Sequence, residues 1–207
     1  MTDTLPAAEL PLFPLQTVLF PDGRLDLKIF EARYLDLVSA CLRESRPFGV
    51  VALKAGGEAR TGPEPVTLHD AGALAELVDV DSAQAGILVV RCRGSHRFTI
   101  EAPRQRADGL WVARATPLAD DPLLAPRDAH GNAVKSLARA IEALAAQGAE
   151  PFLTPYRFDD AGWVANRWCE ILPLPLEARQ LLLSLPDPLA RLATVDAILR
   201  AHQPAPA

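Results

Sequence analysis

Lysine is scarce in this chain: Lys28, Lys54 and Lys135 are the only three. A P-loop nucleotide hydrolase needs G-x-x-x-x-G-K-[ST], whose backbone amides and lysine hold the phosphates. Here Gly56-Gly57 comes after Lys54, in the wrong order. G-x-G-x-x-G is missing too, so neither ATP hydrolysis nor a dinucleotide site finds support. Cysteine is sparse: Cys41, Cys92 and Cys169 lie far apart with no C-x-x-C pair. That spacing reads as reduced, buried thiols of a cytoplasmic protein, not a disulfide framework or zinc site. Long apolar runs are lacking. "GILVV" falls far short of the roughly 20 residues of a membrane span, and "MTDTLPAAELPLF" has neither the basic start nor the apolar core of a signal peptide.

Basic excess is absent as well. The formal net charge is -5, and Arg104 and Arg106 are flanked by Glu101 and Asp108. This argues against a phosphate-binding surface and so against nucleic acid. No G-x-S-x-G elbow exposes a serine. The four histidines, His69, His96, His130 and His202, show no H-E-x-x-H spacing. Ser95 and His96 in "RGSHR" are direct neighbours, which on a strand point to opposite faces; a polar hairpin tip is the expected role. Asp120-Asp121 and Asp159-Asp160 precede helical patterns and suit capping. Trp163 and Trp168 on a helical segment suit core packing. The expectation is no catalytic residue, no cofactor and no metal.

What the chain does contain is a core: 49% of its residues are hydrophobic, incompatible with wholesale disorder. Its length suits one large domain or two small ones. Character changes near Leu118, dividing the chain into 1–118, rich in strand signals, and 119–207, which is helical. In the first part "PFGVVAL" (47–53) reads as a buried strand, and "ALAELVDVD" (73–81) alternates toward its end. "GILVVRCRGSHRFTIEA" reads as two strands around a tight turn at Gly94 and Ser95. Asp108-Gly109 suits a hairpin turn before "LWVARATPL". Residues 55–66 are loop by composition.

One helix interrupts the strands. From Phe30 to Arg43, apolar residues recur at three- and four-residue steps, with Glu31 in the first turn, where the helix dipole favours a carboxylate. Phe30 and Tyr34, one turn apart, are expected to anchor it, and Arg33 to pair with a carboxylate such as Asp26. Beyond the Pro- and Asp-rich connection, four helices follow. The first carries the stripe Val134, Leu137, Ala138, Ile141, Leu144 and Ala145, ended by Gly148. The second covers 160–172. The third runs from Pro175 to Leu185, and the fourth has Asp187 as N-cap and Pro188 at its first position. The "QPAPA" tail is expected to fray.

With these segments in place, the chain resembles the N-terminal substrate-binding domain of the ATP-dependent Lon proteases. "LPLFPL…VLFP" carries Phe13, Pro14, Phe20 and Pro21. "IFEARY" carries Phe30, Glu31, Arg33 and Tyr34. "FGVV", "AGALAEL" and "GSHRF" add Gly49, Gly72, Gly94, Arg97 and Phe98 in order, and "ANRWCEILPLPLEARQLLL" is similar to the segment that closes the family's N-terminal region. Lys28, Ala32 and Ala73 depart from the pattern, where histidine, proline and threonine are usual. The resemblance implies an α+β fold, a PUA-like β-barrel followed by a small α-helical bundle. It also implies a stand-alone, non-catalytic domain lacking the family's ATPase and Ser-Lys protease modules. Its partners would be proteins, unfolded or degron-bearing polypeptides, with an adaptor role conceivable. Pro122, Leu123 and Leu124, leucines in a connection, are the candidate partner surface. RNA or nucleotide-derivative binding through the barrel is the alternative, and a small-molecule hydrolase with an unrecognised site the third reading.

Overall fold

The computed structural model describes residues 9–57 and 65–201. The loop expected over 55–66 falls partly outside them, and His202 and the closing tail wholly so. Contacts divide the chain into two compact units that part between Ala119 and Asp120.

The first unit contains β1 (Leu10–Leu15), β2 (Arg24–Ile29), α1 (Ala32–Glu44), β3 (Phe48–Ala55), β4 (Thr67–Gln84), β5 (Ile87–Gln105) and β6 (Trp111–Pro117). The strands form one sheet in the order β2-β5-β4-β3-β1-β6, and β5 also pairs with β6. That extra pairing closes five of the strands into a ring and leaves β2 outside it, bonded among the described strands to β5 alone. Closure removes two sheet edges that would otherwise expose unpaired backbone groups. β1 and β3 run parallel, so the chain must cross over between them; β2 and α1 form that crossover.

β1 is buried at every position, and β3 from Phe48 to Leu53. Both faces are covered, and the continuous apolar runs "LPLFPL" and "FGVVAL" follow from that. One core joins Phe13, Leu15, Phe48 and Val50 to Tyr34, Leu37, Val38 and Cys41 of α1. The other joins Leu10, Leu12, Val51, Leu74, Phe98 and Ile100. The two sets alternate along β1 and β3, as a two-residue side-chain period requires.

Here the structure corrects the hairpin expected at "RGSHR". β5 is a single strand of 19 residues through Gly94 and Ser95, and the chain reverses instead at Ala85-Gly86. Gly94 is small for a different reason. A Cβ there would lie 2.1 Å from the Phe20 carbonyl oxygen. The Gly94 carbonyl accepts the Asp22 N–H at 2.7 Å, and its own N–H donates to Gly23 at 2.9 Å. The "VLFPDG" segment therefore docks directly on the strand backbone, which only glycine permits. Gly72 is equally crowded, 2.2 Å from the Val50 oxygen, and Phe98 covers it and Gly49. The turn at Asp108-Gly109 is as expected, with Gly109 at φ +83° and the Arg106 N–H donating to Leu110 at 2.9 Å.

The second unit holds α2 (Gly131–Ala146), α3 (Ala161–Ile171), α4 (Leu176–Ser184) and α5 (Pro188–Ala201), after a short 3-10 turn at Asp128–His130. The expected caps hold at α3, where the Asp160 carboxylate accepts from Gly162 and Trp163, and at α5, where Asp187 accepts the Leu189 N–H at 2.9 Å. Pro175 is the N-cap of α4 and not its first residue. Trp163 and Trp168 are buried, and the Trp168 indole donates to the Ala133 carbonyl at 3.0 Å. Asp121 corrects the capping expectation: its carboxylate receives Arg191 instead. Buried Arg191 spends all five N–H groups, on Asp121 twice, on Asn166 and on the Leu182 and Leu185 carbonyls.

Candidate functional site

The site is built from the end of β1, the whole of β2 and the start of α1. In β2 the sequence Arg-Leu-Asp-Leu-Lys-Ile alternates, so Leu27 and Ile29 turn into the core while Asp26 and Lys28 face solvent. The same parity turns Phe30 outward. Phe30 is 63% exposed, which corrects its expected role as a helix anchor. Tyr34 alone holds that role: it is buried and stacks on Phe13, ring centroids 3.9 Å apart and planes 14° from parallel.

α1 also begins two residues later than its periodicity suggests. Glu31 is its N-cap residue, and the Glu31 side chain caps no amide. It binds Arg33 at 2.7 Å instead. Arg33 does not reach Asp26. Its guanidinium donates to the Gly109 carbonyl at 2.8 Å and lies 4.6 Å from the Tyr34 ring centroid, tying α1 to the turn between β5 and β6. Asp26 pairs with Arg24 and Arg91, and the hydrogen bond from Arg24 is the main reason its carboxyl lies below the usual range.

Between these elements opens a groove of about 360 Å³, lined from β1 and its exit by Phe13, Leu15 and Thr17, and from β2 onward by every residue from Leu25 to Glu31, with Tyr34 behind. Its floor is apolar and aromatic, and Phe30 stands on its rim. The Lys28 side chain makes no ion pair or hydrogen bond among the described residues. A pocket of this kind can receive an apolar side chain and select its neighbours by charge.

The remaining residues of the expected signature lie away from the groove lining. Pro14 pairs with Val51 in the parallel register, and Phe20 is fully buried beside half-buried Pro21. Buried Arg97 donates to the Ala119 carbonyl at 3.0 Å, while its own carbonyl accepts from Leu118 at 2.9 Å. In the second unit Pro122 and Leu123 are exposed, Leu123 at 75%, whereas Leu124 is half-buried and its carbonyl accepts from Ala161 at 2.8 Å.

Ser95 and His96 lie within β5, and no group of three or more His, Cys, Asp or Glu able to hold a metal ion occurs among the described residues. The three thiols are buried and raised, Cys41 to about 11 and Cys92 and Cys169 to about 12, by desolvation. None is an activated nucleophile. No helix among the described residues is long and apolar enough to cross a membrane.

Comparison with known proteins bears on this arrangement. The family model of the ATP-dependent protease La (LON) substrate-binding domain matches residues 9–201. A crystal structure of a Lon N-terminal domain protein from Xanthomonas campestris is 33% identical, with a TM-score of 0.74 over 95% of this chain and 99% of that one. The N-terminal domain of the Mycobacterium avium complex Lon protease shares the fold at 14% identity, with a TM-score of 0.61 over 95% of this chain and 100% of that one. Comparison with curated proteins yields no significant match. A family match over residues 9–201, together with a 33% identical structure matched over nearly its whole length, shows that this chain belongs to the Lon substrate-binding domain family.

Proposed function

We propose that this protein binds exposed apolar segments of other proteins, unfolded or degron-bearing, through the groove beside Phe13, Phe30 and Tyr34, and presents them without chemistry of its own. One observation carries the reading: a phenylalanine 63% exposed on the rim of an aromatic-floored groove. Full burial of such a side chain by a partner is worth about 1.5–3 kcal/mol. Membership of a substrate-binding domain family supports it, and an adaptor role in the cytoplasm is the form it takes if the client is passed to a separate protease. Pro122 and Leu123 offer a second, smaller surface; Leu124 is already engaged in its own unit.

The charges favour protein over RNA. Arg24, Arg91, Arg104, Arg106 and Arg114 each hold a carboxylate, so the strand surface is not a free basic stripe. The test is fluorescence anisotropy with a labelled, reduced and carboxymethylated protein as permanently unfolded client. Phe30→Asp is expected to weaken binding by about tenfold or more while the melting temperature holds. Unchanged affinity in a folded variant overturns the reading, and a loss with Leu123→Asp alone assigns the work to the second surface.

A further inference from the structure

The lining of the groove has an unusual property. Side chains on a strand alternate between faces, yet Leu25 to Ile29 line the groove without a gap. Consecutive residues of a strand share one feature toward such an opening, the backbone edge. β2 is hydrogen-bonded to β5 on one side, and among the described residues no strand pairs with its other side. Over Leu25–Ile29, alternate residues turn their N–H and C=O groups to that open side, a template of roughly 17 Å.

Resting on the groove as the binding site, we propose that the client enters as an added β-strand along the free edge of β2. Main-chain hydrogen bonds then supply affinity without regard to sequence, and alternate side chains supply preference. Paired across from β2, residues of one parity in the client join the Leu27 and Ile29 side, toward Phe13 and Tyr34. Those of the other parity face the solvent side, where Lys28 stands as a cation without a partner among the described residues and Asp26 is already held by Arg24 and Arg91. The client is therefore an extended segment in which large apolar residues alternate with at least one acidic residue, the carboxylate set opposite Lys28.

The probe is a C-terminally amidated peptide alternating valine or phenylalanine with aspartate, and the readout is its affinity by anisotropy or calorimetry. N-methylation removes one backbone donor at a time. Strand addition predicts that methylation at positions of one parity weakens binding about threefold to tenfold each, while methylation at the other parity does not. Lys28→Glu, an exposed substitution whose fold is checked by circular dichroism, is expected to turn the preference from aspartate to lysine peptides. Tolerance of N-methylation at every position, with binding still lost in Phe30→Asp, overturns strand addition and leaves the groove as a side-chain pocket. Binding indifferent to both N-methylation and Phe30 overturns strand addition and the groove together. An unaltered charge preference in Lys28→Glu overturns the assigned register.

Discussion

Arg33→Met is the substitution that best separates a structural signature from a chemical one. Methionine keeps much of the aliphatic bulk and removes three interactions at once. The charged hydrogen bond to the Gly109 carbonyl, 2.8 Å long and joining residues 76 apart in sequence, is worth about 1.5–3 kcal/mol. The Glu31 pair adds under about 1 kcal/mol, because Glu31 keeps 29% of its side chain in water. The guanidinium over the Tyr34 ring adds about 0.5–1 kcal/mol. Against these, the buried Arg33 Nε makes no hydrogen bond among the described residues, so methionine recovers about 1 kcal/mol of desolvation. The net loss is about 2 kcal/mol. With a urea dependence of about 2 kcal/mol per molar, the midpoint falls by about 1 M. Urea titration followed by far-ultraviolet circular dichroism reads this directly, and a loss below about 0.5 kcal/mol refutes the clamp. A double-mutant cycle locates the partner: Arg33→Met should couple to Glu31→Gln and be additive with Asp26→Asn.

Three further outcomes follow from the packing. Arg191→Met takes the guanidinium from Asp121, Asn166 and two carbonyls, and should destabilise the helical unit by about 3–5 kcal/mol in the same titration. Gly94→Ala sets a methyl against the Phe20 carbonyl and should lose at least about 2 kcal/mol, whereas a value near zero would mean that "VLFPDG" does not sit on β5. Cys41, Cys92 and Cys169 stay protonated at mildly alkaline pH, so a chromogenic disulfide should label none of them in the native protein and all of them in strong denaturant. Rapid native labelling of any one would contradict its burial.

The helical unit was the more legible part. Asp160, Asp187 and Gly148 mark helix ends by local chemistry that does not depend on the rest of the fold, and they sit where the sequence implies. The strands are less legible. A glycine followed by polar residues in "RGSHR" looks like a turn, because a turn and a close backbone approach select the same residue; only the partner segment at Phe20 tells them apart. Arg33 posed a similar difficulty, since its acceptor is a backbone carbonyl far away in sequence that carries no residue signature. The groove does carry a signal in the sequence. "LDLKIF" alternates as a strand, and extending its parity by one residue places Phe30 on the solvent side. Read as the opening of a helix, the same phenylalanine looks buried. The free edge of β2 has no sequence signal at all, because it depends on which strands close the ring.

The central claim, that clients occupy the groove beside β2, is tested most directly by photo-crosslinking from inside it. A benzophenone amino acid replaces Phe30 in one variant and Leu123 in another, both exposed positions that tolerate the ring. Each is irradiated with the unfolded client, and crosslinked peptides are mapped by mass spectrometry. Strong crosslinks from position 30 to short apolar, acid-flanked client segments, competed away by the alternating peptide, are the predicted result. Crosslinks from position 123 with none from position 30 would contradict it.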